Sequence, residues 1–258
     1  MTDRTKRTCS SQLWLRTVLS AAVLLGLLSS ANASNKLPIE IQNTRVVFNE
    51  GQPSSFVSVR NKSDIPYLIA VDITSFCGEG KTCPATEDFM TSPGFKVINP
   101  GQAFPFRIVK LAEKLPADKE SLYLVQFRLV PSEADLPEQD LQKARITVAV
   151  AGSMKLFWRP KALSNTPGVL KVRDMLAARC NANQLEIFNR SAYWGTFGTL
   201  HASGKTLLKD GPLPMIAPFS SVRYTLPSCP QAISTSFIAE SGLLTAERTV
   251  PVQDKASE

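Results

Sequence analysis

The feature that most constrains this chain is an alternation of apolar and polar side chains with a period of two residues. The segments "SLYLVQFRLVP" and "ARITVAVAGSMKLFWRP" show it most clearly. Because successive side chains of a β-strand point to opposite faces, the pattern predicts strands with one buried face. Turn-forming Gly, Pro and Asn residues recur about every 10 residues, which is typical of a β-sandwich. The sequence therefore predicts an all-β fold.

The alternating segments form two sets, one on each side of a proline-containing segment. This segment is "RPKALSNTPG", with Pro160, Pro167 and Gly168. Proline fixes φ and removes a backbone donor, so the composition is typical of a stiff linker. We place the boundary after residue 160 and predict domains at residues 34–160 and 161–258. Each length suits an immunoglobulin-like sandwich of about 100 residues.

The first 33 residues have the pattern of a secretory signal peptide. A basic start, "MTDRTKRTCSSQLWLR", is followed by the apolar run "VLSAAVLLGLL" and by Ala31-Asn32-Ala33. This order is typical of a cleaved export signal, and we expect the mature chain to begin near Ser34. The alternative is a membrane anchor, but the apolar run falls short of the roughly 20 residues that a spanning helix needs. We therefore predict no stable membrane insertion.

The net charge argues against a nucleic-acid-binding protein. Residues 1–33 contain four cations and one anion, so their removal lowers the net charge from +7 to +4. A nucleic-acid binder usually carries a much denser basic patch.

Four cysteines remain in the predicted mature chain, namely Cys77, Cys83, Cys180 and Cys229. An even number in an exported protein predicts disulfides, and four cysteines allow three pairings. We favour Cys77–Cys83 and Cys180–Cys229, because each pair stays within one predicted domain. A zinc site is the alternative, but there is no C-x-x-C motif and the single histidine is His201. We predict no metal and no cofactor.

Several segments resemble the periplasmic chaperones of the chaperone/usher pathway, the PapD-like proteins that assemble pili and related surface fibres. In the first domain these are "NTRVVFNEG", "VRNKSDIPYLIAV", "LPADKESLYLVQFRLVP" and "MKLFWRP". The weaker matches in the second domain are "IFNRSAYWGTF", "MIAPFSS" and "FIAESG". The resemblance implies two immunoglobulin-like sandwiches at an angle, in a boomerang shape, and a periplasmic location.

The sequence departs from the family pattern at three positions. Leu124 and Gln126 stand where the family usually has an aromatic residue and an asparagine. Glu240, in "AESG", stands where the family usually has an aspartate. These departures leave the chaperone branch and the fibre type open.

The resemblance implies a function in which the chain lends a strand to another protein. Pilus subunits in this system lack the last strand of their sandwich, and the chaperone supplies it. The donor residues would be Ile146, Val148 and Val150, which alternate and so share one face. The alternative is that this face packs inside the chaperone itself. The implied partners are pilus or fimbrial subunits and an outer-membrane usher.

Two groups of charged residues acquire roles from the same resemblance. Arg45 and Lys155 are expected to hold the terminal carboxylate of the subunit, since arginine offers a planar fork of donors and lysine a compact charge. Glu120, Arg159 and Glu240 are expected to form ion pairs between the domains. The alternative for both groups is ordinary surface charge, which usually contributes little to stability.

Two other functional classes remain as alternatives. A structural subunit or adhesin of a surface fibre would also be exported, rich in strands and disulfide-bonded, but this chain has the pattern of two complete sandwiches. An enzyme is disfavoured because no nucleophile elbow and no phosphate-binding loop is present in the sequence. The sequence leaves open which subunits are clients and whether the free protein caps itself as a dimer.

Overall fold

The computed structural model describes residues 38–254, apart from residues 79–80, 82, 133–149, 165–166 and 212. The predicted signal peptide, residues 1–33, lies outside the described residues. Strands dominate the described part of the chain, accompanied there by one α-helix and one short 3-10 helix. The prediction of an all-β fold with two sandwich domains is confirmed.

The first domain is a sandwich of two sheets. One sheet has the order β1-β3-β7-β5 and the other has the order β2-β9-β8-β4-β6. The strands are β1 (Ile39–Ile41), β2 (Arg45–Asn49), β3 (Ser55–Asn61), β4 (Tyr67–Ser75), β5 (Phe89–Ser92), β6 (Phe95–Ile98), β7 (Ala103–Lys110), β8 (Ser121–Pro131) and β9 (Val150–Arg159).

The second domain lies C-terminal to β9, and two short helices precede its strands, a 3-10 helix at Lys161–Leu163 and α1 at Gly168–Asp174. Its strands are linked in the order β13-β12-β16-β17-β10-β11-β15, and β14 pairs with β12. They are β10 (Leu176–Asn181), β11 (Gln184–Asn189), β12 (Gly195–Ala202), β13 (Lys205–Thr206), β14 (Met215–Ile216), β15 (Ser221–Thr225), β16 (Ala232–Phe237) and β17 (Arg248–Asp254).

The α1 helix was not predicted from the sequence. Its position depends on a close approach to Gly195, the first residue of β12. A Cβ atom at Gly195 would lie 2.7 Å from Val172 of the helix and 2.8 Å from Phe237 of β16. Only a residue without a side chain fits between them, so Gly195 allows the helix to pack directly on the sandwich.

Each domain has its own hydrophobic core, as the period-two alternation requires. In the first domain, Phe48, Phe106 and Phe127 are fully buried, and in the second domain Phe197 and Phe237 are. Burying one large apolar side chain contributes about 1.5–3 kcal/mol, so each cluster supplies a substantial part of its domain's stability.

The same Asn-x-Ser corner occurs once in each domain. Asn61 and Asn189 are 0% and 1% exposed, and they are the last residues of β3 and β11. Asn61 Nδ2 donates to the carbonyl oxygens of Ile65 and Ile98. Asn189 Nδ2 donates to those of Tyr193 and Ala217. Each asparagine satisfies one carbonyl group of the loop that follows it and one of a more distant segment, which explains why a buried polar residue is tolerated at both corners.

The predicted disulfide pairing is confirmed. Cys77 and Cys83 are bonded, with Cα atoms 5.6 Å apart, and Cys180 and Cys229 are bonded, with Cα atoms 5.7 Å apart. Within the described residues, no three His, Cys, Asp or Glu side chains group closely enough to hold a metal ion. None of the helices in the described part of the chain has the length and apolar character that crossing a membrane requires.

Candidate functional site

Strands β2 and β9 run parallel and bring the predicted basic residues together. Their register places Arg45 opposite Lys155 and Asn49 opposite Arg159. The alternation on β9 directs Met154, Leu156 and Trp158 into the core of the first domain. Lys155 and Arg159 therefore lie on the opposite face of the strand, together with Phe157.

Both basic residues of the proposed anchor reach the second domain. Lys155 Nζ donates to the Thr196 hydroxyl at 3.3 Å. Arg45 Nη1 donates to the carbonyl oxygen of Ile238 at 3.2 Å, and its guanidinium carbon lies 5.9 Å from the centre of the Phe157 ring. Thr196 was not predicted as a site residue, because a threonine in a strand gives no signal that a distant lysine contacts it.

The guanidinium of Arg45 is incompletely satisfied. Its Nε atom is buried and has no hydrogen-bond partner among the described residues. Burial lowers the pKa of Arg45, and the charges of Glu240 and Glu120 only partly oppose this shift. A buried donor without a partner costs free energy, and an anion that accepted from it would remove that cost.

Arg45 and Lys155 line a cleft of about 1030 Å³. The first domain contributes Thr44 and Gln126 to the same cleft, and the second domain contributes Thr196 and Ile238. The cleft is therefore bounded by both domains, and Arg45 and Lys155 lie on adjacent strands of one sheet.

The edge of β9 beside this cleft is only partly paired. On one side, β8 pairs with β9 from Val150 to Trp158. On the other side, β2 pairs only from Lys155 to Arg159. Among the described strands, none pairs with this second edge between Val150 and Met154. An unpaired strand edge is a ready template for another polypeptide.

The predicted donor residues are mostly outside the described part of the chain. Ile146 and Val148 lie in the segment 133–149, which the structure does not describe. Val150 begins β9, where its backbone pairs with Leu129. The donor role therefore stays a prediction.

The structure brings Glu120, Arg159 and Glu240 together at the junction of the two domains. Arg159 Nε donates to Glu120 Oε1 at 2.8 Å, and Arg159 Nη2 donates to Glu240 Oε1. The side chains of Arg159 and Glu120 are only 7% and 2% exposed, whereas that of Glu240 is 40% exposed. The buried arginine is thus shared between two carboxylates from different domains.

Burial has opposite consequences for the two buried members of this network. Burial raises the pKa of Glu120, although the charge of Arg159 opposes the shift. Burial alone would lower the pKa of Arg159, but Glu120 and Glu240 outweigh it and the pKa is raised. Both carboxylates therefore favour the charged guanidinium.

Trp194 is a further junction residue that sequence reasoning missed. Its backbone N–H donates to Glu120 Oε2 at 2.9 Å, and its indole N–H donates to the Glu120 carbonyl oxygen at 3.2 Å. On another side its ring meets that of Phe76, with centroids 5.6 Å apart and planes at 88°. An aromatic pair between residues so distant in sequence leaves no local pattern that could have predicted it.

Two family models match the chain over most of its length. Residues 38–164 match the model described as "Pili and flagellar-assembly chaperone, PapD N-terminal domain". Residues 171–249 match "Pili assembly chaperone PapD, C-terminal domain". The chain belongs to the PapD family of pili-assembly chaperones. This family consists of assembly chaperones and not of enzymes, and its membership favours a chaperone over a fibre subunit or adhesin.

Individual members of this family align with most of the chain. The probable fimbrial chaperone protein ElfD of Escherichia coli K12 is 32% identical over 212 residues, which cover 82% of this chain and 84% of ElfD. The crystal structure of the E. coli chaperone DraB superposes with a TM-score of 0.68 at 25% identity and covers 83% of this chain and 98% of DraB.

A second similar structure contains a chaperone with a pilin. It is that of the Salmonella enterica SafA pilin in complex with the SafB chaperone, with a TM-score of 0.70 at 22% identity, covering 85% of this chain and 98% of the matched chain. This likeness concerns the fold.

Proposed function

We propose that this chain is a periplasmic chaperone that binds fimbrial subunits by donor-strand complementation. It keeps the subunits from aggregating and delivers them to an outer-membrane usher, without enzymatic activity of its own. The observation that carries the proposal is the pair Arg45 and Lys155 at the end of a strand edge with which no described strand pairs. Arg45 has a buried donor that no described residue satisfies.

The chemistry of this pair favours a carboxylate as the bound group. A carboxylate has two oxygens and accepts several hydrogen bonds, so it could accept from Arg45 Nε and from the lysine together. Each charge-assisted hydrogen bond contributes about 1.5–3 kcal/mol. The C-terminus of another chain supplies such a carboxylate at the end of a strand.

The charge of the pair also selects the direction of the incoming strand. A client strand beside Val150–Met154 would lie in line with β2, which begins opposite Lys155. If it ran parallel to β9, its C-terminal carboxylate would meet Arg45 and Lys155. If it ran antiparallel, its N-terminal end would lie nearest the two cations, and this end brings no terminal carboxylate to them. We therefore expect the client strand to run parallel to β9.

The anchor and the donor residues serve complementary purposes. Ile146, Val148 and Val150 would fill the groove of the client, and each buried aliphatic side chain contributes about 1.5–3 kcal/mol. A slip of one residue would turn these side chains to the wrong face. Fixing the chain end at Arg45 and Lys155 prevents that slip, so the anchor sets the register and the donor residues supply most of the affinity.

The ion pairs around Arg159 are proposed to hold the two domains at the angle that the cleft requires. Because a buried ion pair gains little net stability after desolvation, its main contribution is to geometry. We keep the domain boundary after residue 160. The end of β9 at Arg159 and the packing of Leu163 on the second core support that boundary.

The anchor is tested by co-purification. The chain is expressed in its native host and recovered from the periplasm, and its bound subunits are identified by mass spectrometry. Lys155→Ala should lose the bound subunit while melting at the wild-type temperature. The matched control is Lys205→Ala, a change at an exposed lysine of β13, which should retain it. Wild-type recovery of subunit by Lys155→Ala would overturn the anchoring role.

The donor strand is tested in the same experiment by Val148→Asp. A charged side chain cannot enter an apolar groove without a large desolvation cost, so this variant should also lose the subunit. Val148→Ile keeps the apolar character and should retain it. An undiminished yield of complex with Val148→Asp would count against strand donation by this segment.

A further inference from the structure

The loop between β4 and β5 forms part of the boundary of the cleft. Five of its described residues line the same space as Arg45 and Lys155, and we call them the disulfide wall. They are Phe76, Gly78, Lys81, Cys83 and Ala85. None of them belongs to the proposed anchor, the donor segment or the ion pairs around Arg159.

The disulfide wall is fixed to the first domain by its own covalent and backbone bonds. The disulfide joins Cys83 to Cys77, the neighbour of Phe76, and Cys77 N–H points to the sulfur of Cys83 at 3.1 Å. The backbone N–H of Phe76 donates to the Leu122 carbonyl oxygen at 3.2 Å. Thr74 forms an isolated bridge with Ala85. The position of Phe76 is therefore fixed by its own backbone hydrogen bond, by the disulfide at the next residue and by the bridge between Thr74 and Ala85.

Phe76 connects the disulfide wall to the second domain through a contact with Trp194. Its ring meets Trp194 edge to face, with centroids 5.6 Å apart. Trp194 is in turn held by two hydrogen bonds to Glu120, the buried carboxylate that pairs with Arg159. One continuous set of contacts thus joins the disulfide, the domain junction and the cleft.

The two disulfides differ in a way that points to a local task for this one. Cys180 is 2% exposed, belongs to the core of the second domain and bonds a residue 49 positions away. The Cys77–Cys83 bridge spans only 6 positions. A short closed loop constrains the unfolded chain less than a long one. The shorter bridge therefore has less effect on global stability and more on the position of its own loop.

We propose that the disulfide wall is part of the client site, in addition to the anchor residues Arg45 and Lys155 and the donor strand. The Cys77–Cys83 bond keeps Phe76 against Trp194, which sets the opening of the cleft, and Lys81 faces the C-terminal segment of the client. This inference rests on the proposed function. Phe76 is a positioning residue, since it acts through Trp194, whereas Lys81 touches the client.

The test uses the purified full chain and two fluorescent synthetic peptides of alternating valine and threonine. One peptide ends in a free carboxylate and the other in an amide. The variants are Phe76→Ala, the double change Cys77→Ser with Cys83→Ser, and Lys81→Glu. The matched control for the charge reversal is Lys205→Glu, at an exposed lysine that does not line the cleft. Melting temperatures show whether each variant folds.

Phe76→Ala and the double cysteine variant should bind the carboxylate peptide about two- to tenfold more weakly, the factor that corresponds to one lost aromatic pair. Lys81→Glu should weaken binding about two- to fivefold, as expected for one exposed charge, and should affect the amidated peptide less. Acrylamide should quench tryptophan fluorescence more in Phe76→Ala and in the double variant, because Trp194 becomes more exposed while Trp158 stays in the core of the first domain. A merely structural loop would lower the melting temperature without this change in tryptophan exposure.

Unchanged affinity in all folded loop variants would overturn the inference, and so would unchanged tryptophan quenching in Phe76→Ala. Equal binding of the two peptides by the wild-type chain would contradict the carboxylate anchor of the proposed function. In that case, the difference in peptide affinity between the wild-type chain and the loop variants would still test the disulfide wall. Failure of the wild-type chain to bind either peptide would contradict both.

Discussion

Arg45 and Arg159 lie on two adjacent, parallel strands, yet their surroundings are opposite. Arg159 is held by two carboxylates, one of them almost completely buried. Arg45 is held by one carbonyl oxygen, and its buried Nε has no partner among the described residues. One guanidinium is satisfied within the chain, and the other has capacity for a further acceptor.

This difference separates a structural arginine from a binding arginine. A buried charge that is already paired gives little to a ligand, because its partners would have to be displaced first. A buried donor without a partner raises the free energy of the unliganded protein and lowers it again when an acceptor arrives. The same residue type on the same pair of strands thus serves the domain junction in one case and the proposed client site in the other.

The largest expected effect is on stability, and it concerns Arg159. Arg159→Met leaves Glu120 buried without its cation and should lower the free energy of unfolding by about 3–5 kcal/mol. Urea unfolding measures this change. Glu240→Gln removes the more exposed partner and should cost about 1 kcal/mol or less. Equal losses for the two variants would mean that Glu120 does not depend on Arg159.

Arg45→Met should impair binding of the subunit without lowering stability, in contrast to Arg159→Met. The methionine removes a cation that is costly to bury, so the free energy of unfolding should stay unchanged or rise. Recovery of bound subunit from the periplasm should fall to background, because the carboxylate loses its planar donor. If the variant were strongly destabilised and still bound subunit, the two arginines would not differ in the way described.

The smallest effect is a change in acid stability at a third charge cluster, on the second domain. Glu186 accepts hydrogen bonds from Ser221 and Arg179 and pairs with Arg223. These contacts, the Ser221 hydrogen bond first, lower the pKa of Glu186 from 4.5 to about 2. A lowered carboxyl pKa stabilises the fold above pH 4.5, and this contribution is lost as the pH falls towards 2.

Glu186→Gln should therefore be less stable than wild type above pH 4.5, and the two should converge as the pH approaches 2. Thermal melting at a series of pH values measures the difference. Glu113→Gln, at an exposed residue without an ion pair in the described part of the chain, is the control and should follow the wild-type curve. A constant difference between Glu186→Gln and wild type at every pH would contradict the lowered pKa.

The strands that were predictable from the sequence are those with a long alternation. β8 and β9 alternate over ten residues or more, and both lie where the pattern places them. β5 has only four residues and α1 has seven. Elements this short show too little periodicity to be distinguished from loops.

The site was predictable in part. The resemblance named Arg45 and Lys155, but only the register of β2 and β9 reveals that they are opposite each other. The incomplete satisfaction of Arg45 Nε, the contact of Lys155 with Thr196 and the packing of Phe76 on Trp194 depend on how two domains meet. Such contacts join residues far apart in sequence, so no local pattern encodes them.

The most direct test of the central claim is a crystal structure of the chain with the subunit that co-purifies with it. The account predicts a client strand beside Val150–Met154, parallel to β9, with its terminal carboxylate accepting from Arg45 Nε and Lys155 Nζ. A client that contacts neither residue, or residues 146–150 packed within the chaperone's own interior, would contradict it.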